Sequence, residues 1–171
     1  METIQLSEVV VVSDPCYSLP TWCQKVLNNV VSGEYEVNVT KEDVDGWGNR
    51  CSLLTAINTD YIDKNIEWEF ESMDIGVDSG QCGIFSFESY RNDDWKIEGG
   101  DGDISFFGES LDGEGDKWYG KMCSYTLGKK RWGTYDKGVV SSSGIGDGVY
   151  TLMTKRNKDG RIVGIKVDFL G

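Results

Sequence analysis

Alternation of apolar and polar residues at every second position constrains this chain more than any other feature of its sequence. Tyr35, Val37 and Val39 interleave with Glu34, Glu36 and Asn38, and Ile66, Trp68 and Phe70 interleave with Glu67, Glu69 and Glu71. A period of two places one set of side chains on each face of a strand, so both runs read as half-buried strands with acidic outer faces. Further strands are expected at Cys51–Ile57, Gly83–Phe87, Ile104–Phe107, Trp118–Leu127 and Val149–Thr154, and the valine run Val9–Val12 reads as a fully buried one. The turn Asn157-Lys158-Asp159-Gly160 joins Val149–Thr154 to the β-rich run Arg161–Leu170 as a hairpin, because Asp-Gly suits the turn geometry that matches strand twist.

One segment departs from this period. Trp22, Cys23, Val26, Leu27 and Val30 recur at helical spacing, with Ser18 as an N-cap, Pro20 in the first turn and Gly33 as a terminator. The expected fold is therefore mainly β, an antiparallel sandwich or barrel with one N-terminal helix at about residues 19–31. With 171 residues and no linker-like stretch, residues 1–171 form a single domain.

The chain has no run near the ~20 apolar residues that a membrane helix needs. No basic residue precedes the valine run, so a secretory signal is not expected. The five cysteines (Cys16, Cys23, Cys51, Cys82, Cys123) include no C-x-x-C pair, which suits reduced thiols and a cytoplasmic setting. Net charge is −12, unevenly spread: residues 1–117 hold 7 Lys/Arg against 25 Asp/Glu, a net of −18, and residues 118–171 hold 10 against 4, a net of +6. Such a balance opposes duplex nucleic acid as a partner, since that contact rests on neutralising phosphates. The Gly/Asp-rich stretch Arg91–Asp116 invites a calcium reading, but a loop counted from Asp112 has Lys117 at its sixth position and Cys123 at its twelfth, which fails the EF-hand pattern.

Candidate chemistry gathers in three segments, VVVVSDPCY (Val9–Tyr17), VDSGQCGIF (Val77–Phe85) and GVVSSSGIGDGVY (Gly138–Tyr150). Each is a β-rich run leading into, or out of, a small polar turn that holds one Asp. Turns of this kind present free backbone N–H groups and hydroxyls, although each taken singly is also explained by ordinary turn chemistry. A converged site would use Asp14, Cys16, Tyr17 and Trp22 from the first region, Asp78, Ser79 and Gln81 from the second, and Ser141, Ser142, Ser143, Asp147 and Tyr150 from the third. Lys129, Lys130, Arg131, Lys155 and Arg156 are the candidate cations for an anionic ligand, with Lys129 and Arg131 placed in the site.

Several reaction classes are excluded by composition. The chain contains no histidine, which removes Ser-His-Asp and Cys-His catalysis and His-ligated zinc. GIGDGVY lacks the lysine and the length of a phosphate-binding loop. No cofactor, no metal ligand set and no catalytic residue are assigned from the sequence.

The strings SDPCY, VDSGQCGIF and GVVSSSGIGDGVY, followed by the terminal hairpin, resemble a family of uncharacterised β-rich domains of bacteria and their phages. The resemblance implies a compact β fold and, for a phage-encoded member, action in the host cytoplasm against bacterial immune signalling. The expected function is a non-catalytic protein that binds a small nucleotide-like ligand and sequesters a nucleotide-derived immune signal. Homo-oligomerisation is left open, and no membrane partner is expected. Two alternatives stay open: a carboxylate- or metal-dependent hydrolase of a nucleotide-like substrate built on Asp14, Asp78 and Asp147, and an acidic interaction inhibitor that mimics nucleic acid.

Overall fold

The computed structural model describes residues 2–108 and 110–171. The chain is mainly β and forms two antiparallel sheets. The strands are β1 (Glu2–Leu6), β2 (Val10–Ser13), β3 (Lys25–Leu27), β4 (Gly33–Val44), β5 (Gly48–Asn58), β6 (Glu69–Val77), β7 (Gln81–Ser86), β8 (Trp132–Tyr135), β9 (Gly138–Ser142), β10 (Gly148–Arg156) and β11 (Ile162–Asp168), with one α-helix, α1 (Asp116–Thr126). A six-stranded sheet runs β1-β4-β5-β11-β10-β6, and a five-stranded sheet runs β3-β2-β7-β9-β8; neither closes into a barrel.

The two sheets bury a common core. Ile4, Tyr35, Leu54, Leu152 and Ile165 of the larger sheet meet Val10, Val12, Ile84 and Val139 of the smaller one. The smaller sheet is covered on its other face as well, where Val11, Phe85 and Val140 pack against Trp118 and Met122 of α1 and against Tyr90 and Tyr135. Trp118 meets Phe85 and Tyr90 edge-on at centroid distances of 5.0 Å. Burial on both faces explains why β2, β7 and β9 lack alternation: every residue in them is buried.

The helix lies elsewhere than expected. Residues 19–31 form a turn, which includes a cis Leu19-Pro20 bond, followed by β3, which pairs with β2 through Val26↔Val11. The helical spacing there is coincidental: Leu27 and Val30 are buried, but Trp22 points into solvent. Trp118–Leu127, expected as a strand, instead holds α1, because Trp118, Met122 and Thr126 fall four apart on its buried side. Ile104–Phe107, also expected as a strand, carries a 3-10 turn over Ser105–Phe107. The acidic run starting at Ile66 enters β6 only from Glu69, and Phe70, expected on its buried face, is instead exposed.

The Gly/Asp-rich stretch wraps this helix. Asp93 accepts hydrogen bonds from the Gly115 and Trp118 amides at 2.8 and 3.0 Å, capping α1 from more than twenty residues away. Gly99, Gly100 and Gly102 donate to Tyr125 Oη, Ser124 Oγ and Ser124 O at the other end. Gly100 is required by proximity, since a Cβ there would lie 2.5 Å from the Ser124 carbonyl oxygen.

Candidate functional site

Asp14 sits at the end of β2 with its side chain fully buried. One carboxylate oxygen accepts from the Asp78 and Ser79 amides at 2.8 and 2.7 Å, and the other from the Cys16 amide and the Ser79 hydroxyl at 2.8 and 2.6 Å. The three donors from Asp78 and Ser79 bind the β2 turn firmly to the β6–β7 turn, and the Cys16 amide closes the β2 turn on itself. The third turn joins them through the Ser143 amide, which donates to Gly80 O at 3.0 Å. The three Asp-bearing turns therefore meet at one end of the molecule, as their matching patterns suggested.

Above this knot lies a cleft of about 420 Å³. It is lined by Tyr17, Trp22 and Cys23, by Gly76, Val77 and Asp78 from the end of β6, and by Asp147, Gly148 and Val149 from the start of β10. Gly76 is needed for the close approach of two of these segments: its amide donates to Cys23 O at 2.9 Å, and a Cβ would lie 2.8 Å from Cys23 Cβ. The Tyr17 hydroxyl donates to Asp78 at 2.5 Å and so ties the first segment to the second.

Trp22 is 83% exposed on a well-braced turn. The Thr21 amide donates to Gln24 Oε1 at 2.6 Å, Thr21 Oγ1 to Ser18 O at 2.6 Å, and Gln24 Nε2 to Ser13 Oγ at 3.0 Å. Among the described residues, neither Asp78 nor Asp147 forms an ion pair, and no Lys or Arg lines the cleft.

The other expected site residues belong to the framework. Ser141 and Ser142 are buried and donate to Ser142 O and Thr126 O, and Ser143 donates to Gly146 O. Gln81 is buried between Cys123 Sγ and the Thr126 hydroxyl, pinning α1 to β7. Tyr150 donates to Ser143 O at 3.2 Å, closing its own turn. Lys129 and Arg131 lie in the α1–β8 connection, across β9 from β7, and do not reach the cleft.

Burial, reinforced by the Asp14 charge, pushes the Cys16 thiol well up, and burial does the same for Cys82 and Cys123. Burial and the bond to Asp78 keep the Tyr17 phenol protonated. Among the described residues, no group of three or more acidic or cysteine side chains could hold a metal ion. No helix among them is long and apolar enough to cross a membrane.

Sequence reasoning missed Cys23, Gly76, Val77, Gly148 and Val149 as lining residues. Gly76–Val77 and Gly148–Val149 immediately flank the Asp turns and pair with each other across β6 and β10, so their nearness to the site was implicit in the turns themselves. A larger groove of about 490 Å³ lies between Tyr61, Lys64 and the β10–β11 turn, but its Arg156 is already paired with Glu71 at 2.9 Å. Comparison with protein-family models, curated proteins and solved structures finds no match to the chain.

Proposed function

We propose that the protein is a non-catalytic binding domain of β-sandwich form, whose ligand is an organic cation seated in the cleft between Trp22 and Asp147. The observation that carries this reading is the lining: two aromatic rings and two carboxylates without an ion-pair partner, with no Lys or Arg beside them. An ammonium or guanidinium group gains from both, through the ring faces and through charge-assisted hydrogen bonds. A phosphate-bearing ligand would find only repulsion there, because Lys129 and Arg131 stand apart from the stacking aromatics.

The non-catalytic part of this reading is supported by the same site: Asp14 has its acceptor positions filled by amides and a hydroxyl, and burial raises the Cys16 thiol and the Tyr17 phenol. A thermal-shift panel tests the reading with arginine amide, spermidine, a cyclic dinucleotide and cyclic ADP-ribose. At ~100 times its dissociation constant a ligand adds ~2.7 kcal/mol, a shift of several degrees. The cations are expected to produce it, and Asp78→Asn with Asp147→Asn to abolish it. Stabilisation by the nucleotides alone would overturn the cation reading, and chemical conversion of any bound compound would overturn the non-catalytic one.

A further inference from the structure

We infer that the cleft is one end of a docking strip for a basic, extended polypeptide segment, an inference that rests on the cation reading of the cleft. From the cleft the outer face of the six-stranded sheet continues along β10 as Val149, Thr151 and Met153, and Met153 pairs across to Phe70 on β6. Val149 and Phe70 are each 61% exposed, and Trp22 extends the strip on the cleft side. Val149 to Met153 spans about 13 Å at strand rise, the reach of four extended residues. Phe70 adjoins Met153 at one end and Val149 shares the cleft with Trp22 at the other, with Thr151 between; apolar groups clustered and rimmed by charge mark interaction sites, whereas isolated ones do not.

Charge selects the occupant. Asp74, Asp78 and Asp147 border the strip at the cleft end and are exposed without ion-pair partners among the described residues. At the far end Glu69 and Glu71 are neutralised by Arg156, while Lys155 and Lys166 rest over the Trp68 ring at 4.8 and 4.7 Å. A guest with its cationic side chain in the cleft and apolar side chains towards Phe70 satisfies both ends, and the chain's net charge of −12 draws it in. Strand addition to the β6 edge is not the mode: Gly76 N–H is already bonded to Cys23 O, and Asp74 N–H to the Ser72 hydroxyl at 3.1 Å. The guest lies across the sheet face.

An amidated hexapeptide of alternating arginine and valine, compared with arginine amide by titration calorimetry, separates the two claims. The peptide is expected to bind at least about tenfold more tightly. Phe70→Ser and Met153→Ser, both outside the cleft, should bring its affinity back towards that of arginine amide while leaving arginine amide binding unchanged. Unchanged peptide affinity in both variants, or equal binding of a glutamate–valine peptide, overturns the docking strip and leaves the cleft reading intact. Failure of arginine amide and peptide alike overturns both.

Discussion

Asp14 shows how one buried residue decides the geometry of the cleft without being part of its lining. Its carboxylate gathers two turns through four donors, and each such charge-assisted bond contributes about 1.5–3 kcal/mol, with a further penalty for any buried donor left unpaired. Asp14→Asn keeps the size but replaces one acceptor with an amide facing N–H groups. We expect a loss of at least about 3 kcal/mol, a fall in Tm of roughly 6–12 °C. A variant melting within about 2 °C of the parent would show that the knot is not what orders the turns. Asp93 invites a pH test of known sign. Burial opposes its charge, but the Trp118 and Gly115 amides outweigh it and hold its carboxyl below the ordinary value of 3.8. Its contribution is therefore fully present above that value and lost as pH falls through the lower folded one. The parent should lose stability over this acid range more steeply than Asp93→Asn; identical slopes in acid-titrated melts would remove Asp93 as the cap of α1.

At the scale of elements, the sequence discloses strands wherever one face is wet. The alternation of β4 and the Asp-Gly turn between β10 and β11 were legible because water reads the outer face. The central sheet was harder, since burial on both sides erases the period. Two elements exchanged identities for a definite reason: short segments of mixed apolar residues fit either period. Residues 25–27 became an edge strand because pairing with the buried valines of β2 was on offer, and residues 116–126 became a helix because the covering layer needed Trp118 and Met122 on one side. The same layer gives two predictions. Gly100→Ala should destabilise by more than about 1 kcal/mol, because the Ser124 carbonyl cannot recede without unwinding the end of α1. Thr154 is fully buried in β10 with a hydroxyl that has no hydrogen-bond partner among the described residues, so Thr154→Val should leave Tm unchanged or raise it. A drop of several degrees in chemical or thermal melts would mean that the hydroxyl is satisfied.

Over the whole molecule, two sheets and a covering layer bring three sequence-distant turns to one end. The convergence of Asp14, Asp78 and Asp147 could be anticipated from their matching patterns, but their division of labour could not. Whether a carboxylate is consumed by amides, as in Asp14, or left at a rim, as in Asp147, depends on which turn lies beneath which. The serines of the third turn looked like a cradle and proved to face inward, because β9 is buried on both sides. Lys129 and Arg131 lie across β9 and do not line the cleft, which is why the proposed ligand is a cation. The most direct test is an amide and indole NMR titration with arginine amide. The account predicts perturbations confined to the Trp22 indole, Asp78–Ser79 and Asp147–Val149, and their loss in Asp78→Asn with Asp147→Asn. Perturbations centred instead on Tyr61, Lys64 and Lys158, or none at saturating ligand, would contradict it.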